Sequence, residues 1–508
     1  MASLQPAPEE TPETALHHGR LGILGIVFFV VAAAAPLVGM TGAVPVAIVA
    51  GNGAAAPGAY VVVGIILLLF SVGYAAMAGK VTNAGAFFAY VGRGIGIVPG
   101  VGSAFVSLVA YLAVQLAIFG FFGGLVSGQM NDKFGIDWPW YVWTLIAWLL
   151  VTGLSLLSVD VGAKVLGVLM TLELLSLLVT AFAVLFSSKK PEGIDLSASF
   201  APQNIFSGGL ASTAGIALAF AFASYIGFEA TAIYGEESKD PHKTVPRATY
   251  LAVVLITVIF GFTAFAIVTG LGASTVIDKT VELSTVDGTP LANPAAVLFN
   301  VAETYVGSWI VDLMSWLVIS SLFAGLLAFQ NSAARYFFAL GRADVLPRKL
   351  DQVNGRGAPW VATLVTSVIS LIVIVVFWVA NLDPVVNLFF WFSGLAVLAI
   401  VFVEILVSIS VIAFFSRHQG EASVWASVIA PLLSIIGLTV GLWLLASRFA
   451  LLAGTAADGV DPTQQPWGLN TTGWVLVLAP FVLFVVGLIV GKVRLKEENE
   501  DAIADLVT

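Results

Sequence analysis

The sequence has 508 residues, of which 59% are hydrophobic and only 10% are charged. A soluble domain usually carries about 25% charged residues, so this composition excludes a soluble binding protein and indicates a lipid environment. The absence of cysteine excludes disulfides, thiolate metal sites and cysteine nucleophiles. The net charge is −9 and no basic patch is present, which excludes a nucleic-acid partner.

The chain begins with a polar, acidic tail over residues 1–19, unlike the basic start of a cleavable signal peptide. A membrane-spanning helix needs about 20 mostly apolar residues. Residues 21–79 contain no charged residue and are long enough for two spans, with a turn at Gly51-Asn52-Gly53. Ten further apolar segments predict an all-α polytopic membrane protein of about twelve spans, and they lie roughly at 97–125, 138–157, 161–187, 209–235, 247–272, 308–331, 359–380, 385–415, 423–447 and 472–491.

The distribution of Lys and Arg predicts the orientation of the chain. With a cytoplasmic N-terminus and alternating spans, sixteen of these residues fall on inner positions and five on outer ones. Cytoplasmic loops are enriched in positive charge. We therefore expect a multi-pass protein of the cytoplasmic membrane with both termini, including the tail over 492–508, on the cytoplasmic side.

Two spans carry helix-breaking residues. In span 1, residues 35–45 contain two prolines and two glycines, and in span 6, residues 223–229 contain Gly227 and Glu229. Glycine often serves only close helix packing in membranes, which is the alternative interpretation. However, spans 1 and 6 are corresponding positions of two five-span halves, which is typical of inverted-repeat transporters. We predict inverted repeats over 20–187 and 209–416, separated by an outer loop over 188–208.

Three carboxylates lie within predicted spans: Glu173, Glu229 and Glu404. An ionisable residue at membrane depth is expensive and is a functional candidate by default. The alternative is a protonated or hydrogen-bonded residue that braces helices, which we favour for Glu404 but not for Glu229. No histidine lies in a span centre and no metal-ligand spacing is present, so we expect neither an enzyme nor a metal site.

Several motifs resemble those of the amino acid–polyamine–organocation (APC) superfamily, in particular its amino acid permeases. The span 6 motif is Ala223-Ser224-Tyr225-Ile226-Gly227-Phe228-Glu229, followed by Glu236-Glu237-Ser238-Lys239-Asp240-Pro241. The span 8 exit is Gln330-Asn331-Ser332-Ala333-Ala334-Arg335, and the loop after span 2 is Thr82-Asn83-Ala84-Gly85-Ala86. The resemblance implies a five-plus-five inverted-repeat fold with broken spans 1 and 6, plus two C-terminal helices over 417–491.

The resemblance also implies uptake or exchange of amino acids or related amines without a cofactor. In such permeases the unwound part of span 1 binds the substrate carboxylate, and carbonyls of span 6 bind the amino group. The corresponding donors here are the backbone groups of Gly39, Met40, Thr41 and Gly42. Helix N-termini favour anions in general. The corresponding acceptors are the carbonyls of Phe222, Ala223, Ser224 and Ile226.

One position departs from the pattern of some proton-coupled relatives, which carry a lysine in the middle of span 5 in place of a sodium ion. The position here is Glu173, and an acid cannot replace a fixed cation. Glu173 is therefore expected either to take up a proton itself or to complete a cation site with Ser320 and Ser321. We favour a proton over sodium as the coupling ion, with Glu173 or Glu229 as its carrier.

Two alternatives remain open. A polyamine or amino-alcohol carrier of the same superfamily would place several carboxylates in the cavity, whereas the glycine-rich span 1 suits the carboxylate of a zwitterion. A membrane sensor or channel would bind a ligand without carrying it. The sequence does not determine the substrate, symport or exchange, or the oligomeric state.

Overall fold

The computed structural model describes residues 22–81, 86–157, 159–235, 237–286, 288, 290–291 and 293–495. Within these residues the chain is helical and contains no β-strand. Eleven helical stretches are long and apolar enough to cross a membrane, and the first, Ile23–Ala78, has 56 residues and holds both span 1 and span 2. These stretches account for the twelve predicted spans, and the all-α polytopic class is confirmed. Most of the loop motif after span 2 and Glu236 of the span 6 motif lie outside the described residues.

The first five spans contain seven helices. Span 1 consists of α1 (Ile23–Ala34) and α2 (Pro36–Val46), and the irregular segments Ala47–Asn52 and Gly53–Ala55 connect it to span 2. The remaining helices are α3 (Ala56–Ala78), the short α4 (Phe87–Ile95), α5 (Ile97–Phe134), α6 (Trp140–Leu157) and α7 (Val159–Phe186). Proline at the first position of α2 fits a helix start, because the first N–H groups of a helix have no partner in the helix.

Span 6 is interrupted like span 1, since α10 (Thr213–Ser224) is followed by the 3-10 segment Phe228–Tyr234. Short helices α8 (Leu196–Phe200) and α9 (Pro202–Ile205) precede it, and α11 (Pro241–Leu271) is span 7. The remaining helices are α12 (Val276–Ser284), α13 (Ala295–Tyr305), α14 (Ser308–Arg342), α15 (Trp360–Val379), α16 (Phe390–Arg417), α17 (Ala430–Ser447), α18 (Phe449–Ala453) and α19 (Thr471–Leu495). The division into two inverted repeats stays a prediction.

Glycines let several helices pack closely, as expected where lipid provides no hydrophobic drive for association. A side chain at Gly64 of α3 would overlap Thr257 of α11, and one at Gly94 of α4 would overlap Ser410 of α16. These pairs have no room for a methyl group. Gly64 and Gly94 therefore allow close helix packing. This is the role that we considered above as the alternative explanation for glycines in the spans.

A buried polar network joins four helices. The side-chain amides of Gln115 on α5 and Gln330 on α14 are hydrogen-bonded. Gln330 Nε2 also donates to Ser367 Oγ of α15 at 2.9 Å, and Thr152 Oγ1 of α6 donates to the same oxygen at 2.9 Å. Because buried polar groups are costly when unpaired, this network fixes spans 3, 4, 8 and 9 to one another.

Candidate functional site

The break in span 1 is a single residue. Ala35 has φ 43° and ψ 67°, in the left-handed region, so α1 ends at Ala34 and α2 begins again at Pro36. A non-glycine residue in this region is uncommon and costs free energy. The break therefore places the carbonyl end of one half-helix next to the N–H end of another in the interior of the bundle.

The free backbone donors lie earlier in the chain than the sequence predicted. Gly39 N–H donates to the carbonyl of Ala35 at 3.1 Å, and Met40, Thr41 and Gly42 follow inside α2. The helix restarts immediately after Ala35, so these N–H groups are used within the helix rather than left bare. Leu37 and Val38 are the first-turn residues whose N–H groups are not bonded within the helix. Leu37 N–H donates to Glu173 Oε1 at 2.9 Å, whereas Val38 N–H has no hydrogen-bond partner within the described residues.

One stripe of α2 is only partly covered by protein. Val38, Gly42 and Val46, spaced four residues apart on one face, are each half-buried. A Cβ atom added at Gly42 would meet no described atom within 4 Å, whereas one at Gly39 would lie 2.8 Å from the Phe260 ring. Open space therefore lies beside Gly42, and Gly39 is a close-packing position.

The break in span 6 exposes carbonyl groups. Helix α10 ends at Ser224, and Gly227 has φ 108°. The carbonyls of Ala223 and Ser224 accept no hydrogen bond from any described residue, whereas Phe222 O accepts Tyr225 N–H at 3.2 Å. Phe222 is thus occupied in this conformation, and the open acceptors are Ala223, Ser224 and Ile226, whose carbonyl likewise accepts no hydrogen bond from any described residue. Substrate contacts of Ile226 and of the other predicted positions stay a prediction.

The two breaks are in direct contact. A Cβ atom added at Gly227 would lie 2.7 Å from Ala33 Cβ and 3.2 Å from Ala34 N, and one at Gly39 would lie 3.8 Å from Ser224 Cβ. Gly227 is required for two reasons, its positive φ and the lack of space for a side chain. Open N–H and carbonyl groups of opposite polarity thus lie close together inside the protein.

Glu173 binds the N-terminal end of α2. Its Oε1 accepts Leu37 N–H at 2.9 Å, and its side chain is 1% exposed. Ser321 on α14 interacts with the same carboxyl group, although Ser321 Oγ has no hydrogen bond of ordinary geometry with a described residue. Ser320 Oγ instead donates to Leu317 O of its own helix at 2.9 Å. Of the predicted cation site, the structure brings together Glu173 and Ser321 but not Ser320.

Glu229 stabilises the break of span 6. Its Oε2 accepts Gly227 N–H at 2.8 Å, Tyr111 OH donates to Oε1 at 3.3 Å, and the side chain is fully buried. Tyr74 OH donates to the backbone carbonyl of Glu229 at 2.7 Å. These tyrosines were not predicted from the sequence, since nothing in the order of residues indicates that spans 2 and 3 contact span 6.

A buried ion pair lies beyond the breaks. Arg335 of the span 8 motif bonds Glu237 of the span 6 motif at 2.6 Å, and the guanidinium lies 5.0 Å from the centre of the Tyr234 ring. Tyr234 stacks on Phe29 of α1 with ring centres 5.2 Å apart. Contacts between the two motifs that carry the family resemblance therefore close one end of the site.

A helical bundle with two touching broken spans and half-helix ends at its centre has the architecture of inverted-repeat membrane transporters. The sequence profile of the amino acid permease family matches residues 25–502. The chain belongs to this family, which confirms the resemblance inferred from the motifs.

Individual relatives match over shorter stretches. The L-lysine transport protein of Corynebacterium glutamicum is 26% identical over 30% of this chain and 28% of the relative. The large neutral amino acids transporter small subunit 2 of Homo sapiens is 29% identical over 32% of this chain and 28% of the relative. The histidine permease HisP of Lactococcus lactis subsp. cremoris is 23% identical over 62% of this chain and 64% of the relative. The chain thus spans less than two thirds of the length of each of these relatives.

Proposed function

We propose that this protein carries amino acids across the cytoplasmic membrane by secondary active transport with alternating access. The observation that carries the proposal is the contact between the two breaks, at Gly227 against Ala33 and Ala34. It brings a positive half-helix end and open carbonyls to one place, where a carboxylate and an ammonium group can bind together. The relatives named for lysine, large neutral amino acids and histidine agree with this substrate class.

Zwitterionic amino acids suit the site better than polyamines. Glu173 and Glu229 both accept backbone N–H groups, and Glu173, Glu229 and Glu404 are at most 1% exposed. A polycation requires several carboxylates that are accessible in the binding space, whereas these three side chains are buried. Val38 N–H and the carbonyls of Ala223 and Ser224 supply instead one donor group and two acceptors of the kind that a zwitterion needs.

A ligand screen tests the proposal. Purified protein is heated with single amino acids, polyamines or amino alcohols, and a bound ligand stabilises the folded state by about 2.7 kcal/mol at a hundred times its Kd. We expect at least one amino acid to raise the melting temperature and then to support counterflow in proteoliposomes. Stabilisation by polyamines alone would identify the rival carrier, and binding without counterflow would identify a sensor.

The proposed orientation places both termini in the cytoplasm, because the bias of Lys and Arg to inner positions follows the positive-inside rule. In this orientation the Arg335–Glu237 pair and the Phe29–Tyr234 stack close the cytoplasmic end of the site. The half-buried stripe of α2 with Gly42 belongs to the outer half. This position supports entry of substrate from outside in this conformation.

Single cysteines in this cysteine-free chain test the orientation. Lys349 and Asp278 are both exposed, so cysteine at either position is accessible to water. We expect an impermeant thiol reagent to label Asp278→Cys in intact cells and to label Lys349→Cys only after the membrane is opened. Labelling of Lys349→Cys in intact cells would contradict the proposed topology.

A further inference from the structure

Arg448 is a buried charge without an acidic partner. It directly follows α17, and only 2% of its surface is exposed. Among the described residues, no carboxylate lies within ion-pair distance of its guanidinium group. A buried charge is expensive unless hydrogen bonds or a counter-charge compensate for its lost hydration. The groups that surround Arg448 must therefore provide this compensation.

Backbone carbonyls of two separate segments bind Arg448. Its Nη1 donates to Pro462 O at 3.4 Å and to Thr463 O at 3.1 Å, in the loop over 455–470 between α18 and α19, and its Nη2 donates to Ala211 O. Hydrogen bonds from a charged donor are stronger than neutral ones, and the rigid guanidinium fork presents several donors at once. Arg448 thus joins the 455–470 loop to the residue two positions before α10, the first half of span 6.

The 455–470 loop is itself held in place. Trp467 N–H donates to Ser447 O, the last carbonyl of α17, at 2.8 Å. Ala457 N–H donates to Gly468 O at 2.9 Å and so joins the two arms of the loop. The loop and the end of α17 therefore form a single support for Arg448.

One face of α17 follows α10 along most of its length. A Cβ atom added at Gly441 would lie 2.6 Å from the Phe222 ring, and one at Gly215 would lie 2.8 Å from Leu444 Cδ2. Positions 441, 444 and 448 share one face of a helix, and they face positions 222, 215 and 211 in turn. The contact that Arg448 closes at the start of α10 thus extends to Phe222, next to the open carbonyls of span 6.

We propose that Arg448 is a positioning residue of the substrate site. It fixes the start of α10 to span 11 and to the 455–470 loop, and thereby sets where the open carbonyls at the other end of this 12-residue half-helix lie. Recognition of the substrate amino group by span 6 then depends on Arg448, whereas recognition of the carboxylate by α2 does not. The positioning rests on the proposed transport function, but the anchoring of α10 does not.

Hydrogen exchange of the purified full-length protein tests the anchoring without a substrate. Arg448→Met removes the charged donors, and we expect amides at the start of α10 and in the 455–470 loop to exchange about tenfold faster than in wild type, since local opening controls exchange. Amides of α15 should be unchanged, and Arg448→Lys, which keeps a charged donor, should give intermediate rates. Lys133→Met removes a cation from a partly exposed ion pair with Asp312. It is the matched control and should change neither segment.

The preference for an ammonium group tests the positioning. L-leucine and L-histidine are each compared with the 2-hydroxy acid analogue, which keeps the carboxylate and lacks the ammonium group. We expect Arg448→Met to weaken calorimetric binding of the amino acid by about tenfold and to change binding of the hydroxy acid much less. Arg448→Lys should restore part of the preference. A general loss of stability would weaken both ligands equally.

Several outcomes would overturn the proposal. Wild-type exchange at the start of α10 in Arg448→Met would show that Arg448 anchors nothing, and faster exchange in α15 as well would show a general destabilisation. Equal losses for the amino acid and the hydroxy acid would contradict the positioning. If Arg448→Met does not remain monodisperse, Gly441→Ala presses a methyl group against Phe222 at the other end of the same contact. It must lower the preference for the ammonium group, and a wild-type preference would contradict the assignment.

The two measurements separate this proposal from the proposed function. A protein that binds no amino acid but shows the local change in exchange would keep the anchor and lose both the positioning and the transport proposal. A protein that transports amino acids, with wild-type exchange and wild-type preference in Arg448→Met, would keep the transport proposal and lose this one.

Discussion

Glu173→Gln is expected to abolish proton-driven accumulation of substrate while substrate binding remains. The Glu173 carboxylate accepts a hydrogen bond from Leu37 N–H in the first turn of α2. The open donor, Val38 N–H, belongs to the same turn. Its negative charge therefore opposes a substrate carboxylate at the helix end that attracts anions. Protonation of Glu173 would remove this repulsion, and we therefore expect proton and substrate to bind together. Glutamine imitates the protonated acid permanently, and we expect binding that no longer depends on pH.

The measurement is uptake into proteoliposomes with and without a proton gradient, together with calorimetric binding at several pH values. Glu282→Gln on the exposed face of α12 is the matched control. Glutamine can still accept Leu37 N–H, whereas Glu173→Ala leaves that buried N–H without a partner and should cost about 1–3 kcal/mol of stability. If Glu173→Gln and Glu229→Gln both keep the pH dependence of wild type, neither residue carries the coupling proton.

Gly42→Leu is expected to remove substrate binding and to leave the fold intact. Nothing described lies within 4 Å of a Cβ atom at Gly42, so a leucine side chain fits against the protein but extends into the open space beside α2. We expect the affinity to fall at least tenfold, or by about 1.4 kcal/mol. Calorimetry gives the affinity, and size exclusion and thermal melting report on the fold.

Gly39→Leu should lose binding for a different reason. Its Cβ atom would lie 2.8 Å from the Phe260 ring, and overpacking of this kind typically costs about 1–3 kcal/mol. The control is Gly153→Leu on the exposed side of α6, where a Cβ atom also meets nothing within 4 Å. Gly64 of the unbroken span 2 is unsuitable, because any side chain there overlaps Thr257. If Gly42→Leu and Gly39→Leu both bind substrate with wild-type affinity, the substrate site does not lie at span 1.

Much of the architecture was predictable because membranes impose simple rules on a sequence. Runs of about 20 apolar residues must form spanning helices, so the twelve spans followed from hydrophobicity alone. Breaks are tolerated only in the protein interior or along a cavity, so Pro36 in span 1 and Gly227 in span 6 indicated interrupted spans. The buried carboxylates Glu173, Glu229 and Glu404 were evident as charges within apolar segments. The motifs around Gly227 and Arg335 were sufficient to identify the family.

Only the tertiary structure decided which groups are open and which are paired. The family resemblance implied free donors at Gly39 to Gly42, but α2 restarts after the single left-handed residue Ala35, and the open donor of its first turn is Val38. Local sequence predicts that a helix breaks, whereas the residue at which it resumes depends on the surrounding packing. The partner of Leu37 is Glu173, 136 positions away, and Tyr111 is 118 positions from Glu229. Contacts over such separations arise from how helices are arranged in space, and no local pattern of residues encodes them.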